Sequence, residues 1–106
     1  MRLVTLEDIR EAKARIEKSI FHTPLLPCVW GEDDGPHRAA EGRTLKLKPE
    51  NLQAIGSFKI RGAANAVAAL DPAQRARGVV THSSGNHGQG LALAARHHGV
   101  RAVVVV

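Results

Sequence analysis

The sequence predicts an α/β fold: a parallel-sheet βαβαβ unit with an N-terminal helix. Two observations carry this prediction. Apolar residues recur at helical spacing over 57–70 and 87–98, and short valine-rich runs lie between and after these two segments, at 79–81 and 100–106. Because the valine runs are uniformly apolar rather than alternating, they are typical of strands buried on both faces of a parallel sheet.

The N-terminal helix is predicted from Thr5 to about Ile20. Thr5 can cap it, with Asp8 three residues on, and Pro24 resists helix further along. Its apolar face consists of Leu6, Ile9, Ala12 and Ile16. Residues 31–42 are charged and rich in turn formers, which predicts an exposed loop, and residues 44–48 alternate polar and apolar, as in a half-buried strand.

The rest of the unit is bounded by recognisable stop signals. Asp71 and Pro72 end the helix of 57–70 and cap a short helix that ends before Gly78, while Gly99 closes the helix of 87–98. In parallel sheets, ligands lie beyond the carboxyl ends of the strands. The loops after Lys48 and His82 should therefore meet in space.

Bulk properties limit the class of protein. A length of 106 residues predicts one domain, and neither a membrane span nor a signal peptide is predicted. Residues 1–50 carry nine acids and nine bases, whereas residues 51–106 carry one acid and six bases, so the net charge of +5 resides in the second half. Without basic runs or many aromatic residues, this favours a small anionic ligand over nucleic acid. The unpaired Cys28 is consistent with a cytoplasmic location.

Two segments carry candidate chemistry. Lys59 follows a Gly-Ser turn at the start of an apolar helix, where the helix dipole disfavours an ammonium and favours a neutral, nucleophilic amine or an anion. Such an amine would also need a pocket that excludes water. Residues 79–90 run from an apolar strand through a polar, glycine-rich turn into a helix, an arrangement that offers backbone N–H groups to an anion.

The motifs of other common kinds of site do not match the residue spacing of this sequence. The glycines at 56 and 62 miss the P-loop pattern, those at 85, 88 and 90 reverse the dinucleotide fingerprint, and Thr81 stands where a nucleophile elbow needs glycine. No metal site is predicted, because the histidines lack an H-E-x-x-H motif or a cysteine pair. His97 and His98 are interpreted as a solvated helix end.

Residues 50–63, which read ENLQAIGSFKIRGA, and residues 83–89, which read SSGNHGQ, resemble the N-terminal part of the pyridoxal-phosphate-dependent threonine dehydratase and serine racemase family. The sequence HTPL at 22–25 also matches the family's opening segment. The resemblance runs over nearly the whole chain and implies a partial, truncated fold of type II, similar to the tryptophan synthase β-chain, with residues 1–106 forming the N-terminal portion of one enzyme domain.

The resemblance also implies roles for individual residues. Lys59 would form the Schiff base with pyridoxal 5'-phosphate, Phe58 would lie against the cofactor ring, and Asn86 would hydrogen-bond the ring's phenolic oxygen. The substrate carboxylate would bind to Ser83, Ser84, Gly85 and His87. In racemases the second serine protonates the opposite face of Cα, a role that would fall to Ser84.

The function implied is dehydration of L-threonine or L-serine to a 2-oxo acid and ammonia, with serine racemisation as the alternative. Family members continue past residue 106 with a glycine-rich phosphate-binding loop, so a third hypothesis is a truncated, non-catalytic fragment that needs a complementary chain. The expected partners are an amino-acid substrate and, through exposed valine-rich edges, a second copy or a complementary chain.

Overall fold

A computed structural model describes residues 2–27 and 45–106. The helices are α1 (Leu6–Ile16), α2 (Lys59–Ala68), α3 (Pro72–Arg77) and α4 (Asn86–His97), with a 3-10 turn at Glu50–Leu52. The strands are β1 (Leu26–Pro27), β2 (Lys46–Leu47), β3 (Val79–His82) and β4 (Ala102–Val105). The α/β class is confirmed. The predicted loop at 31–42 and Cys28 lie outside the described residues.

Two helix starts are fixed by capping boxes, at the cap residues Thr5 and Asp71 that the sequence predicts. At α1, the Thr5 hydroxyl accepts from the Asp8 N–H at 3.2 Å, and the Asp8 carboxylate accepts from the Thr5 N–H at 2.7 Å. At α3, Asp71 and Gln74 make the same reciprocal pair at 2.8 and 2.9 Å. Each cap satisfies N–H groups that the helix itself leaves without acceptors. Helix α1 ends at Ile16, earlier than the predicted Ile20.

The described strands form two separate pairs. Strands β3 and β4 are parallel, with Val79 opposite Ala102 and His82 opposite Val105. Strand β2 falls within the predicted segment 44–48 but pairs antiparallel with β1, with Leu26 opposite Leu47. The predicted βαβαβ unit has the strand of 44–48 in the same sheet as the two later strands. Among the described residues this prediction was wrong, because an alternating pattern indicates an extended segment and does not specify the strand with which it pairs.

The core lies between the helices and the inner face of β3–β4. Helices α2 and α4 form the most extensive contact in the described chain, and α1 packs on α2. The buried apolar residues are Ile16, Ile60, Ala63, Ala64, Val67, Leu91, Ala94, Ala95 and Val100. Alanine on both facing helices lets their backbones approach closely, which brings the starts of α2 and α4 side by side.

One face of the parallel pair is exposed. Val80 is 72% exposed, and Val103 and Val105 are 46% and 49% exposed, whereas their neighbours along each strand are half-buried. The prediction that both faces are buried was therefore wrong within the described chain. The uniform valine pattern reflects an apolar second face that no described element covers.

Candidate active site

Lys59 is the first residue of α2, directly after a tight turn. Gly56 has φ +70°, a conformation that side chains rarely adopt, and the Ser57 hydroxyl accepts from the Lys59 N–H at 3.3 Å. The Lys59 ammonium nitrogen lies 4.9 Å from the centroid of the Phe58 ring, within cation–π range. Both side chains are exposed, so the expected exclusion of water from this amine is not met by the described residues.

The second predicted segment begins where β3 ends. The Ser83 N–H donates to the Val105 carbonyl at 2.9 Å, which extends the strand pairing by one residue. The Ser83 hydroxyl accepts from the N–H groups of Gly85 and Gly88 at 3.3 and 3.0 Å and so caps α4. Ser84 is exposed and its hydroxyl makes no hydrogen bond to the described residues. The two adjacent serines therefore occupy different environments.

Glycines bring the two segments together. A Cβ at Gly90 would lie 3.3 Å from the carbonyl carbon and oxygen of Lys59, so α4 rests against the backbone of the lysine itself. A Cβ at Gly88 would lie 2.9 Å from the Ser83 carbonyl oxygen, so the turn before α4 folds tightly onto the helix. The meeting in space expected from sheet topology is therefore present, although it is made by packing of α2 on α4.

A cleft of about 300 Å³ opens between the two helix starts. Its lining contains no carboxylate and consists of Phe58, Lys59, Arg61, Gly62, Ala63, Ala66, His87 and Leu91. Of the residues predicted from sequence, the cleft joins Phe58, Lys59 and His87. Asn86, Ser83, Ser84 and Gly85 are not among its lining residues and lie at or before the first turn of α4.

The start of α4 carries unused hydrogen-bond donors. Within the described chain, the backbone N–H groups of Ser84, Asn86 and His87 have no hydrogen-bond acceptor. The first turn of α4 contains no acidic residue, and neither does that of α2. Free amides at a helix N-terminus without nearby carboxylates form a favourable environment for an anion such as a carboxylate.

A partly buried polar network that the sequence reasoning missed supports the loop before Lys59. The Arg61 guanidinium donates two parallel hydrogen bonds to the Glu50 carboxylate at 2.7 and 2.8 Å. The Thr23 hydroxyl donates to the same carboxylate at 2.6 Å. The hydrogen bond from Arg61 is the main cause that lowers the pKa of Glu50 to about 2. Charged residues are usually solvated, so sequence alone gave no signal that these two are paired.

Neither a metal site nor a membrane-spanning helix is found in the part of the chain that the structure describes. Residues 2–27 and 45–106 contain no cluster of histidine, cysteine and carboxylate side chains that could hold a metal ion. Over the same ranges, no helix has the length and apolar character needed to cross a membrane.

The fold and the site define a class of protein: an α/β chain with an amine-bearing cleft beside a helix start that has free backbone amides. The chain belongs to the pyridoxal-phosphate-dependent enzyme family, whose model matches residues 16–106. It is 49% identical over its full length to a serine racemase of Dictyostelium discoideum and 45% identical over 98% of its length to an L-threonine ammonia-lyase of Thermotoga maritima.

A solved structure is also similar. The structure of maize serine racemase covers 97% of this chain with a TM-score of 0.81 and 42% identity. The chain spans 31% and 24% of the lengths of the Dictyostelium and Thermotoga relatives and 30% of the maize chain. It therefore corresponds to the N-terminal portion of such enzymes, and the family contains both racemases and ammonia-lyases.

Proposed function

We propose that this chain provides the lysine-bearing portion of a pyridoxal-phosphate-dependent ammonia-lyase that converts L-threonine or L-serine to a 2-oxo acid and ammonia. The observation that carries the proposal is the juxtaposition of Lys59 with the free amides of α4. An amine that can react with an aldehyde lines the same cleft as His87, whose backbone N–H is one of these free amides and is suited to a substrate carboxylate. Membership of the family supports the same cofactor.

The residues of the cleft fit pyridoxal phosphate. Lys59 provides the primary amine, and Phe58 provides an aromatic face whose centre lies 4.9 Å from that amine. The cleft volume of about 300 Å³ lies at the lower end of the usual range for small-molecule sites, and its lining contains no carboxylate that would repel a phosphate. Asn86, in the first turn of α4, would contact the ring's oxygen.

When bound, the cofactor supplies an electron sink for negative charge that develops at the substrate Cα. Residues of the chain bind the substrate and transfer the proton. The α4 amides and His87 bind the carboxylate, which fixes the orientation of the Cα–H bond. The Lys59 nitrogen would hold the cofactor and would also take the proton from the substrate Cα. The β-hydroxyl leaves as water and hydrolysis returns one water, so the net products are the 2-oxo acid and ammonia.

Racemisation of serine is the second candidate, and one observation favours it. Ser84 has an exposed hydroxyl without a hydrogen-bond partner among the described residues, whereas the hydroxyl of Ser83 already caps α4. Ser84 is thus free to deliver a proton to the Cα face opposite Lys59. The two serines are a matched pair: Ser84→Ala should remove D-serine formation and preserve dehydration, whereas Ser83→Ala should weaken the start of α4.

The third candidate is a non-catalytic fragment that acts only with a complementary chain or a second copy. The exposed valines of β3 and β4 support it, because an apolar sheet face of this kind is usually covered in a stable assembly. Residues 1–106 then form the N-terminal portion of a single enzyme domain, completed by further polypeptide.

Trapping of the cofactor separates these candidates. The chain is mixed with pyridoxal phosphate and reduced with borohydride, and its lysines are mapped by mass spectrometry. Lys59 should carry the adduct, Lys18→Ala should leave that adduct unchanged, and Lys59→Ala should remove it. Products from L-serine and L-threonine are then measured: 2-oxo acid indicates the lyase and D-serine the racemase. An adduct without turnover indicates the fragment, and no adduct on Lys59 refutes the proposed role of this lysine.

A further inference from the structure

The loop that leads to Lys59 has little regular structure of its own. Between Pro49 and Phe58 it contains one 3-10 turn and a backbone hydrogen bond of 2.7 Å from the Gly56 N–H to the Gln53 carbonyl. A loop held by so few backbone bonds does not by itself fix the direction of the residue that follows it. Contacts from outside the loop therefore help to hold the first turn of α2, and the packing of α4 at Gly90 is one of them.

The Glu50–Arg61 ion pair closes this loop. Glu50 begins the loop, and Arg61 lies on α2 two residues after Lys59 and eleven residues after Glu50. The side chains are only 17% and 31% exposed, and the two hydrogen bonds form the bidentate geometry that arginine makes with carboxylates. The pair therefore ties both ends of the Lys59-bearing loop to each other.

The pair is in turn tied to the segment before β1. Gln53 is 4% exposed and exchanges two hydrogen bonds with the Phe21 backbone, at 3.0 and 2.7 Å. Its amide also donates to Glu50 at 3.3 Å, and Thr23, which is 1% exposed, donates to Glu50 at 2.6 Å. Both carboxylate oxygens of Glu50 thus have two donors each, so the network is satisfied as well as sheltered.

We propose that the Glu50–Arg61 pair is a positioning device that aims the Lys59 amine into the cleft, so that this lysine reacts with a carbonyl ligand faster than the other lysines do. The inference rests on the proposed role of Lys59. Glu50 and Arg61 do not touch the reacting atoms in this account; they act through the backbone of residues 57–61. Arg61 also lines the cleft, so a shift of its side chain changes the cleft wall as well.

The test compares two arginines that make hydrogen bonds at opposite ends of α2: Arg61, near its start, and Arg75, on α3 beside its end. Arg61→Lys keeps the charge but loses the second parallel hydrogen bond. Arg75→Lys is the matched control, since Arg75 also makes two hydrogen bonds, to the carbonyls of Ala68 and Leu70 at the opposite end of α2. A loss of stability alone should affect both variants in the same way, whereas a positioning role should affect only the first.

The first readout is the rate of adduct formation, in which the lysine amine adds to the aldehyde of pyridoxal phosphate with loss of one water before borohydride reduction. Arg61→Lys should slow the reaction of Lys59 about tenfold, since small misplacements of reacting groups have effects of this order or larger. The adduct on Lys18 should be unchanged. Arg75→Lys should leave the Lys59 rate within about twofold of the unsubstituted chain. Equal slowing in the two variants would overturn the proposal.

The second readout needs no cofactor. Amide hydrogen exchange of residues 57–60 should be about tenfold faster in Arg61→Lys and unchanged in Arg75→Lys, because only the former loosens this turn. If the unsubstituted chain forms no adduct on Lys59, the proposed function fails. Faster hydrogen exchange of residues 57–60 in Arg61→Lys would still support the role of the Glu50–Arg61 pair in holding this turn. If exchange of residues 57–60 is unaffected in Arg61→Lys, the positioning inference fails even where the adduct forms. Glu50→Gln, which leaves the guanidinium unbalanced, should reproduce both effects.

Discussion

Two glycines on neighbouring helices should respond to alanine with opposite signs. A Cβ at Gly62 in α2 would meet no atom within 4 Å, whereas one at Gly88 in α4 would lie 2.9 Å from the Ser83 carbonyl oxygen and 3.0 Å from a methyl carbon of Val104. Neither glycine has a positive φ. The difference between them is therefore space alone.

The magnitudes follow from two competing effects. Replacing helical glycine with alanine gains about 1 kcal/mol through helix propensity, and Gly62→Ala should stabilise the chain by about 0.5–1 kcal/mol. At Gly88 the same gain is opposed by overpacking of about 1–3 kcal/mol, and a backbone oxygen cannot rotate away, so a net loss of up to about 2 kcal/mol is expected. Gly90→Ala, with its nearest contacts at 3.3 Å, should lie between the two.

Urea unfolding followed by far-UV circular dichroism measures these changes directly. The two variants should differ by about 2 kcal/mol, which corresponds to about 8 °C or more in melting temperature for a domain of this size. A Gly88→Ala variant that is as stable as Gly62→Ala would contradict the reasoning, because it would mean that α4 does not approach Ser83 as closely as described.

Three further outcomes are expected. The pKa of Glu50 is lowered to about 2 from 4.5, so its contribution to stability is complete above pH 4.5 and is lost as the pH falls toward 2. Unfolding measured over this pH range should show a loss of about 1–3 kcal/mol in the unsubstituted chain. The Glu50→Gln variant should not show this loss. Asp71→Ala should cost about 1 kcal/mol in the same unfolding assay through loss of the α3 cap, while Asp71→Asn should be nearly neutral. Val80→Thr, on the exposed sheet face, should reduce concentration-dependent association in sedimentation measurements and change the free energy of unfolding by less than about 0.5 kcal/mol.

Local features of the fold were predictable from the sequence. The helix caps at Thr5 and Asp71 each depend on residues only three positions apart, so they can be predicted from local sequence. The proximity of Lys59 and His87 was also expected, but from strand ends in one sheet, whereas the structure achieves it through packing of α2 on α4. The paired motifs indicated the family correctly because each motif is a contiguous run of residues.

Long-range features were not predictable in the same way. The partner of β2 is β1, some twenty residues away, and no pattern within the strand encodes that choice. The Glu50–Arg61 pair was missed because two charged residues in a sequence give no sign that they are sheltered together. The exposure of one valine face among the described residues was also missed, because a uniformly apolar run does not show which of its faces other elements cover.

The contact between Gly90 and the Lys59 carbonyl has a consequence for how such a protein can diversify. The main chains of α2 and α4 are in contact at this point, so exchanging the side chains of the cleft leaves the spacing between the two helix starts intact. Side chains that line the cleft, such as that of His87, can thus change while the frame that holds the two helix starts together is kept. A frame of this kind is suited to a lineage in which racemases and ammonia-lyases occur side by side.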